Sequence, residues 1–419
     1  MVHKRLQLRT MTQNFTLGRC WTRIHCGAWL LTTALALQAC GGGGGGSTTP
    51  TPPAAEPQDP IVVTLGPGEF KAATRLQSFS TADIGQAIVA SAGALPEAAP
   101  RYAVTSYRLD YLTVGNNGQQ VLASALVNVP TKAAGASSPV LALQHGTTAR
   151  DAEAPTNEVS ASQVSVVLAS QGYIVLAPDY VGYGTSKGLE HPYLLAAPSA
   201  SVVLDMLTAA KYWRQTTGLS DNRQLFLAGY SEGGYVSMAA ARVLASGASP
   251  HAKNLQMVVS GGGPYNVTAT LDALLQRVRE ENALLGALIN PGFLKLLGAG
   301  PRASVRNALL NELLGPGADV TFESTLIDRY LADDAAAIDR DSNVYDWKPA
   351  VPTLLFHGRD DQTVTYRSAS TTLQAMQARG ASSLVQLTDC AVQPAGHLEC
   401  VPPFWKFVVA QLAGVARDL

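Results

Sequence analysis

Short apolar runs and helical stretches alternate along the chain from residue 102 onward. Runs of the buried-strand type occupy 140–144, 173–177, 225–228, 256–260, 353–356 and 384–387. Helical periodicity lies between most of these runs, over 158–170, 199–216, 232–245 and 368–379. This β-α-β order predicts an α/β fold with a mostly parallel central sheet and helices on both faces.

An antiparallel hairpin is predicted ahead of the parallel strands. The segments 107–114 and 121–129 alternate in hydrophobicity and are rich in β-branched and aromatic residues. The turn sequence Gly115-Asn116-Asn117-Gly118 joins them. Two such runs around a turn-forming segment are typical of a hairpin.

The segment between 260 and 353 interrupts the alternation of strands and helices. It contains about ninety residues with helical periodicity, which is too long for a plain crossover. We therefore expect a helical cap over about 265–348, above the carboxyl edge of the sheet where ligands bind in open α/β folds. Most of its apolar stripe residues are expected to serve packing within the cap, since apolar helix stripes usually do. The stripes comprise Leu271, Leu274, Leu275, Val278, Leu294, Leu297, Val305, Leu309, Leu310 and Leu313.

Composition limits the kinds of partner that the chain can have. The chain has 419 residues, of which 47% are hydrophobic and 15% charged, so it can bury a large core. Its 30 basic and 31 acidic residues give a formal net charge of −1. Such a balance gives no overall attraction to nucleic acid. We expect small, uncharged or weakly charged ligands; oligomeric state is left open.

The N-terminus has the pattern of an export signal. A basic lead without acidic residues precedes the apolar run 28–39, and Leu37-Gln38-Ala39-Cys40 resembles a bacterial lipobox apart from Gln38. We interpret 1–39 as a lipoprotein-type signal peptide, Cys40 as the lipidation site, and 40–60 as a Gly/Pro-rich tether to a folded domain over 61–419. The protein is then exported, and either anchored at the outer membrane or secreted. An ordinary signal peptide cleaved nearby is the alternative.

A candidate nucleophile lies where a predicted strand meets a predicted helix. The junction reads Gly229-Tyr230-Ser231-Glu232-Gly233-Gly234, which matches Gly-x-Ser-x-Gly in the context of a nucleophile elbow. The glycines leave room for a sharp turn that exposes Ser231 at the helix N-terminus. This context predicts an α/β-hydrolase fold with Ser231 as nucleophile. A tight turn with Ser231 as a helix N-cap is the alternative.

A serine nucleophile needs a base and an orienting acid, which follow it in the chain in this fold. Asp361 occupies the fourth position of Gly358-x-x-Asp-x-x-Val after a predicted strand, a pattern that resembles the triad acid of α/β hydrolases. Its neighbour Asp360 is the rival. His397 follows the last predicted strand and is the candidate base, whereas His357 is expected to shape the acid loop.

Two other histidines come too early in the chain for the base. We interpret His191 and His251 as structural or surface residues. Cys390 and Cys400 are the two cysteines of the folded domain, and an even pair in an exported chain predicts a disulfide. That bridge would hold the loop that contains His397. Two free, buried thiols are the alternative.

Two backbone N–H groups are candidates for stabilising a developing oxyanion. One belongs to Glu232, directly after the nucleophile. The other is expected in the loop after strand 140–144, which reads Gln144-His145-Gly146-Thr147. Thr147 is the first candidate there and Gly146 the second; a plain glycine turn is the alternative.

Four segments together resemble the secretory lipase family of α/β hydrolases. They are Gln-His-Gly-Thr at 144–147, Ala-Pro-Asp-Tyr-Val-Gly-Tyr-Gly at 177–184, His-Pro-Tyr-Leu at 191–194 and Gly-Tyr-Ser-Glu-Gly-Gly at 229–234. The resemblance implies hydrolysis of carboxylic esters, often acylglycerols, beneath a helical cap. It extends from about residue 102 to the C-terminus and is vague in the cap. Asp179, within the second segment, is expected to be structural.

The sequence therefore predicts a carboxylic ester hydrolase, an esterase or lipase, with a Ser231, Asp361 and His397 triad. Metal and organic cofactors are not expected, because the sequence lacks the spacing typical of their sites. The expected substrate is a small-molecule or lipid ester. A serine peptidase or amidase, a polyester hydrolase and a catalytically silent binding protein are the alternatives.

Overall fold

A computed structural model describes residues 60–115, 117–281, 298–314 and 317–419. The proposed signal peptide, Cys40 and nearly all of the tether lie outside these residues. The described chain contains a sheet of nine strands in the order β1-β2-β3-β5-β4-β6-β7-β8-β9. The strands are β1 Phe70–Phe79, β2 Val104–Val114, β3 Gln120–Pro130, β4 Ser137–Gln144, β5 Ile174–Pro178, β6 Ser220–Tyr230, β7 Leu255–Gly261, β8 Thr353–His357 and β9 Val385–Asp389.

The sheet is antiparallel at one edge and parallel elsewhere. β1, β2 and β3 form an antiparallel run, and β3 also pairs antiparallel with β5. All remaining pairs are parallel. The predicted hairpin is β2 and β3, paired over their full length from Val104 with Pro130 to Val114 with Gln120. β1 was not predicted, because most of its residues are exposed and its sequence lacks clear alternation.

Helices connect the strands and cover the sheet. They are α1 Thr81–Ala90, α2 Val164–Ser170, α3 Ala196–Thr217, α4 Glu232–Ala245, α5 Val267–Glu281, α6 Ala299–Leu314, α7 Thr325–Leu331, α8 Ala335–Asp341, α9 Tyr366–Ala378 and α10 Val401–Ala413. The helix predicted over 158–170 begins later, at Val164, because residues 154–163 form turns and bends. None of the helices described here has the length and apolar character needed to cross a bilayer.

Alternate residues of the central strands pack on opposite faces. In β4, Val140 and Ala142 belong to one buried apolar cluster, whereas Leu141 and Leu143 belong to the other. The first cluster includes α3, α4 and the helices that follow β7, and the second includes α2 and α10. The two-sided cover explains why the parallel strands are continuous apolar runs.

The interruption between β7 and β8 is helical, as the sequence predicts. It contains α5, α6, α7 and α8. Leu271, Leu274 and Leu275 of α5 and Val305 and Leu309 of α6 are buried. Of the other predicted stripe positions, Leu294 and Leu297 lie outside the described residues.

Candidate active site

Ser231 lies in a sharp turn between β6 and α4. Its backbone has φ 58° and ψ −124°, a left-handed conformation that is strained for a residue with a Cβ. Its N–H donates to the carbonyl of Gly261 at 2.8 Å. A Cβ at Gly229 would lie 2.2 Å from the oxygen of Gly233, and one at Gly233 would lie 2.1 Å from the oxygen of Gln144. Glycine is therefore required on both sides of the turn.

The structure brings Ser231, His397 and Asp361 into one hydrogen-bonded chain. His397 Nε2 lies 2.9 Å from Ser231 Oγ, and His397 Nδ1 lies 2.6 Å from Asp361 Oδ2. Both are hydrogen-bond distances, and such an arrangement allows a histidine to take a proton from a serine hydroxyl while a carboxylate orients the ring. Ser231 follows β6, the acid loop follows β8, and His397 follows β9, so three parallel strands deliver these side chains to one edge of the sheet.

Asp361 is held by four donors. Its Oδ1 accepts from the N–H groups of Thr363 and Val364, both at 2.8 Å, and its Oδ2 faces His397 and His357. Burial alone would raise the pKa of Asp361, but the hydrogen bonds from His357 and His397 outweigh it and lower that pKa to about 2. The carboxylate is thus ionised at neutral pH and suited to stabilise an imidazolium.

Asp360, the rival acid, has a different partner. Its Oδ2 accepts from the N–H of Ala395 at 2.8 Å, and its own N–H donates to the carbonyl of Ala395. It therefore ties the acid loop to the loop that carries His397. Asp361, not Asp360, contacts the histidine.

The loop that carries His397 is fixed from several sides. Cys390 and Cys400 form a disulfide with a Cα–Cα distance of 6.0 Å, as predicted. Tyr230 Oη donates to the carbonyl of His397 at 2.8 Å, and the two rings are 5.2 Å apart. Cys400 is the N-cap residue of α10, so the loop is anchored at its end by a helix.

The loop after β4 reaches Ser231. A Cβ at Gly146 would lie 3.6 Å from the Cβ of Ser231, so the backbone of Gly146 is adjacent to the serine. Thr147 and Gly146 line the same cavity as Ser231. The Thr147 hydroxyl is 3.3 Å from Tyr193 Oη. The Glu232 N–H lies at the start of α4, where N–H groups have no partner within the helix.

His191 and Glu232 form a buried pair that sequence reasoning missed. His191 Nε2 lies 2.6 Å from Glu232 Oε1, and the two side chains are 4% and 2% exposed. His191 is therefore a buried structural residue rather than a surface residue, and it contacts the residue that follows Ser231. The sequence contained one indication of a role for His191, because the His-Pro-Tyr-Leu segment at 191–194 is one of the four that resemble the secretory lipase family.

The remaining predicted structural residues lie in ordinary buried networks. His251 contacts the hydroxyl of Thr208 at 2.9 Å, and burial lowers the pKa of His251 to about 4. Asp179 accepts hydrogen bonds from Ser124 Oγ at 2.5 Å and from Thr156 Oγ1 at 2.6 Å. Burial raises the pKa of Asp179 despite these bonds.

An apolar cavity of about 410 Å³ opens beside Ser231 and His397. Three helices between β7 and β8, namely α5, α6 and α7, supply side chains to its lining. The apolar lining from these helices comprises Val267, Leu271, Leu274, Leu310, Leu326 and Ile327. Polar groups also reach it, among them Arg277 and Glu323. Such a lining suits a hydrocarbon chain attached to the reacting carbonyl.

Part of the chain is similar in sequence to known lipases. Residues 148–287 match the family described as secretory lipase. The chain is 26% identical over 240 residues to Lipase 9 of Candida albicans, covering 52% of this chain and 51% of that protein. It is 28% identical over 259 residues to Lipase 10 of the same organism, covering 56% and 53%. The chain thus spans about half the length of these curated relatives.

Solved structures resemble the chain over most of its length. The rice cell wall degrading esterase LipA from Xanthomonas oryzae has a TM-score of 0.64 at 24% identity, covering 84% of this chain and 100% of that one. A protein of Legionella pneumophila has a TM-score of 0.65 at 22% identity, covering 82% of this chain and 97% of that one. Candida antarctica lipase A in its closed state has a TM-score of 0.55 at 18% identity, covering 84% of each chain. These likenesses establish the α/β-hydrolase fold that the sequence predicts.

Proposed function

We propose that the chain hydrolyses carboxylic esters with Ser231, His397 and Asp361 as catalytic triad, because it has the α/β-hydrolase fold and its residues 148–287 match the secretory lipase family. The observation that carries the proposal is the unbroken hydrogen-bonded chain from Ser231 Oγ through both nitrogens of His397 to Asp361 Oδ2. Esterase and lipase are one reaction class here, distinguished by the length of the acyl chain.

The proposed reaction proceeds through a covalent acyl-enzyme. Ser231 Oγ attacks the ester carbonyl while His397 Nε2 takes its proton, and Asp361 stabilises the resulting imidazolium. The N–H groups of Glu232 and Thr147 donate to the oxyanion, with Gly146 as the second choice in that loop. His397 then protonates the leaving alcohol. A water molecule repeats the sequence on the acyl-enzyme and releases the acid.

The cavity supports an ester with an apolar acyl chain. Most of the side chains that α5, α6 and α7 contribute to its lining are aliphatic, and an amide group of a peptide backbone buried against them would lack a partner at a cost of about 1–3 kcal/mol. A hydrocarbon chain has no such cost and gains about 0.8 kcal/mol for each buried CH₂. Amides and polyesters remain outcomes of the test below.

Export and lipid anchoring belong to the same proposal. The resemblance to secretory lipases supports export, and the basic and apolar N-terminus with its lipobox-like end supports lipidation at Cys40. Metabolic labelling with a radioactive or clickable palmitate, compared between the full chain and Cys40→Ala, tests the anchor. Label on the parent that is absent from the variant supports it, and unlabelled parent protein rejects it.

A chain-length series tests the activity. The kcat/KM for p-nitrophenyl esters from acetate to palmitate is measured for the parent protein, Ser231→Ala, and the control Ser246→Ala, whose serine is exposed just after α4. We expect turnover that is lost in Ser231→Ala and retained in Ser246→Ala. A maximum at long chains indicates a lipase, and one at short chains an esterase.

A fluorophosphonate probe with peptide mass spectrometry identifies the nucleophile independently. A covalent adduct on Ser231 is expected in the parent. Ester turnover that persists in Ser231→Ala, or an adduct elsewhere, overturns the assignment. Turnover of amides with none of esters would instead indicate a peptidase or amidase.

A further inference from the structure

We propose that the buried pair of Glu232 and His191 is a positioning device for the oxyanion site, in which the Glu232 carboxyl group fixes the backbone N–H of its own residue. The inference rests on the proposed ester hydrolysis. Glu232 directly follows Ser231, and its N–H is the first proposed oxyanion donor. Its side chain has so far no role in the reaction.

The burial of Glu232 requires an explanation. Its side chain is 2% exposed, and a carboxyl group without water needs a hydrogen-bonded partner. His191 Nε2 supplies that partner at 2.6 Å to Oε1, whereas Oε2 is buried without a hydrogen bond in the described part of the chain. The carboxyl group is therefore held through a single short contact, to His191.

The surroundings of His191 define where the protons lie. His191 Nδ1 is 2.8 Å from the carbonyl oxygen of Val181, and a carbonyl only accepts, so Nδ1 carries a hydrogen. Nε2 then faces Oε1 of Glu232 across 2.6 Å, and one further proton must lie between them. Whether that proton is on nitrogen or oxygen, the pair is neutral overall. A neutral, hydrogen-bonded pair is stable in a buried site where a lone carboxylate is not.

His191 is itself anchored to the helical segment over the site. Its N–H donates to the carbonyl of Thr321 at 2.8 Å, and its carbonyl accepts from the N–H of Glu323 at 2.9 Å. These two bonds form a parallel bridge with Phe322, whose ring stacks on Tyr193 at 4.6 Å. The pair thus links Glu232 to the segment between α6 and α7. Glu323 of that segment lines the cavity beside Ser231.

The link acts on geometry at the start of α4. Loss of the contact frees the Glu232 side chain, and with it the first residue of the helix, to shift. Catalytic groups must lie within about 0.5 Å of their productive position. Loss of one oxyanion donor typically lowers kcat by about 100-fold to 1,000-fold. Misplacement of a donor should cost less, about 10-fold to 100-fold.

The experiment compares Glu232→Gln, Glu232→Leu, and the double variant Glu232→Leu with His191→Phe. Glutamine retains a group at the same place that donates to His191 Nε2. Leucine has a similar size but leaves Nε2 without a partner. In the double variant the two atoms that face each other are both replaced by apolar groups, and only the carbonyl of Val181 loses its donor, so thermal unfolding is measured to show that the variant folds. The control is His251→Gln, which alters a buried histidine on a different contact.

Three quantities are measured on p-nitrophenyl butyrate: kcat, KM, and the inhibition constant of an alkyl trifluoromethyl ketone, which forms a tetrahedral oxyanion on the serine. We expect Glu232→Gln to stay within about threefold of the parent in all three. In Glu232→Leu and in the double variant, kcat should fall about 10-fold to 100-fold, with KM nearly unchanged and the ketone weakened by a similar factor. His251→Gln should leave all three unchanged.

Two results would overturn the inference. One is a double variant that folds, by its thermal unfolding, and has the kcat of the parent. The other is a fall in kcat without weaker binding of the ketone, because the oxyanion site would then be intact. Absence of Ser231-dependent ester turnover in the parent itself would instead reject the proposed function, and is seen in the same assay before any variant is compared.

Discussion

His357 Nε2 lies 3.2 Å from Asp361 Oδ2, the same oxygen that lies 2.6 Å from His397 Nδ1. His357 Nε2 also lies 2.9 Å from the carbonyl oxygen of Val364. Because both of these oxygens accept, Nε2 carries a hydrogen, and Nδ1 is buried without a partner in the described residues. Asp361 Oδ2 therefore lies between two histidine rings, and His357 helps to fix the carboxylate that faces His397.

Replacing His357 by leucine should impair catalysis through Asp361. The variant removes one donor to Asp361 Oδ2 and leaves the carbonyl of Val364 unpaired, at a cost of about 1–3 kcal/mol in the free energy of unfolding. We expect kcat/KM to fall about 10-fold on esters, since the acid is less firmly oriented. His357→Gln retains a donor in the position of Nε2 and should recover most of the activity. Equal activity of the leucine variant and the parent would show that His397 alone orients Asp361.

The lowered pKa of Asp361 predicts a component of acid unfolding. That pKa is about 2 in the folded protein, below the ordinary value of 3.8, so the ionised form stabilises the fold. This stabilisation is complete above pH 4, is lost as the pH falls towards 2, and amounts to about 2–3 kcal/mol. Urea unfolding from pH 6 to pH 2 should therefore show a steeper loss of stability for the parent than for Asp361→Asn. Parallel curves for the two proteins would contradict the assignment.

The disulfide should matter more for the position of His397 than for binding of substrate. Cys390 and Cys400 are separated by 10 residues, and the bond restricts the unfolded chain by about 3 kcal/mol in the loop-closure model. The double variant Cys390→Ser and Cys400→Ser should unfold more easily by about that amount, with kcat reduced and KM little changed. Reductant should have the same effect on the parent and none on the double variant. A reductant effect on the double variant would point to another cause.

Gly358 should tolerate no side chain. A Cβ there would lie 2.1 Å from the oxygen of Ala395 and 2.9 Å from the sulfur of Cys400. Gly358→Ala should displace the loop that carries His397 and lower kcat about 100-fold, because misplacement by about 1 Å has an effect of that size. Gly85→Ala is the matched control, since a Cβ at this position in α1 meets nothing within 4 Å. Steady-state kinetics and thermal unfolding of both variants test the contrast.

Much of this architecture could be predicted because the buried parallel strands and the glycine-bounded serine have strong local patterns. The turn at Ser231 requires glycine at 229 and 233, and these glycines can be recognised directly in the sequence. β1 could not be predicted from its pattern, since an exposed edge strand has little hydrophobic alternation. The pairing of His191 with Glu232 depends on two segments meeting in space, 41 positions apart, and no local pattern encodes such a contact.

The choice between Asp360 and Asp361 also separates what a local pattern predicts from what depends on distant contacts. Motif register favoured Asp361, and the structure gives it the contact with His397 while Asp360 binds the backbone of Ala395. The position in the motif could not reveal that Asp360 also has a structural contact. That contact depends on the path of the loop around Ala395, more than thirty residues further along the chain. The assignment of chemical roles to these residues stays a prediction for the experiments above.

The helical segment between β7 and β8 cannot be replaced by the substrate-facing helices of a relative alone. β7 and β8 are parallel, with Val258 opposite Thr353 and Gly261 opposite Phe356. The segment therefore leaves the sheet at one end of the strands and re-enters about 10 Å away along them, at roughly 3.3 Å per residue. A graft from a relative must bring its own return path across the face of the sheet as well as its substrate-facing helices. Chimeras joined at 261 and 353 meet this requirement, whereas a short linker between those points does not.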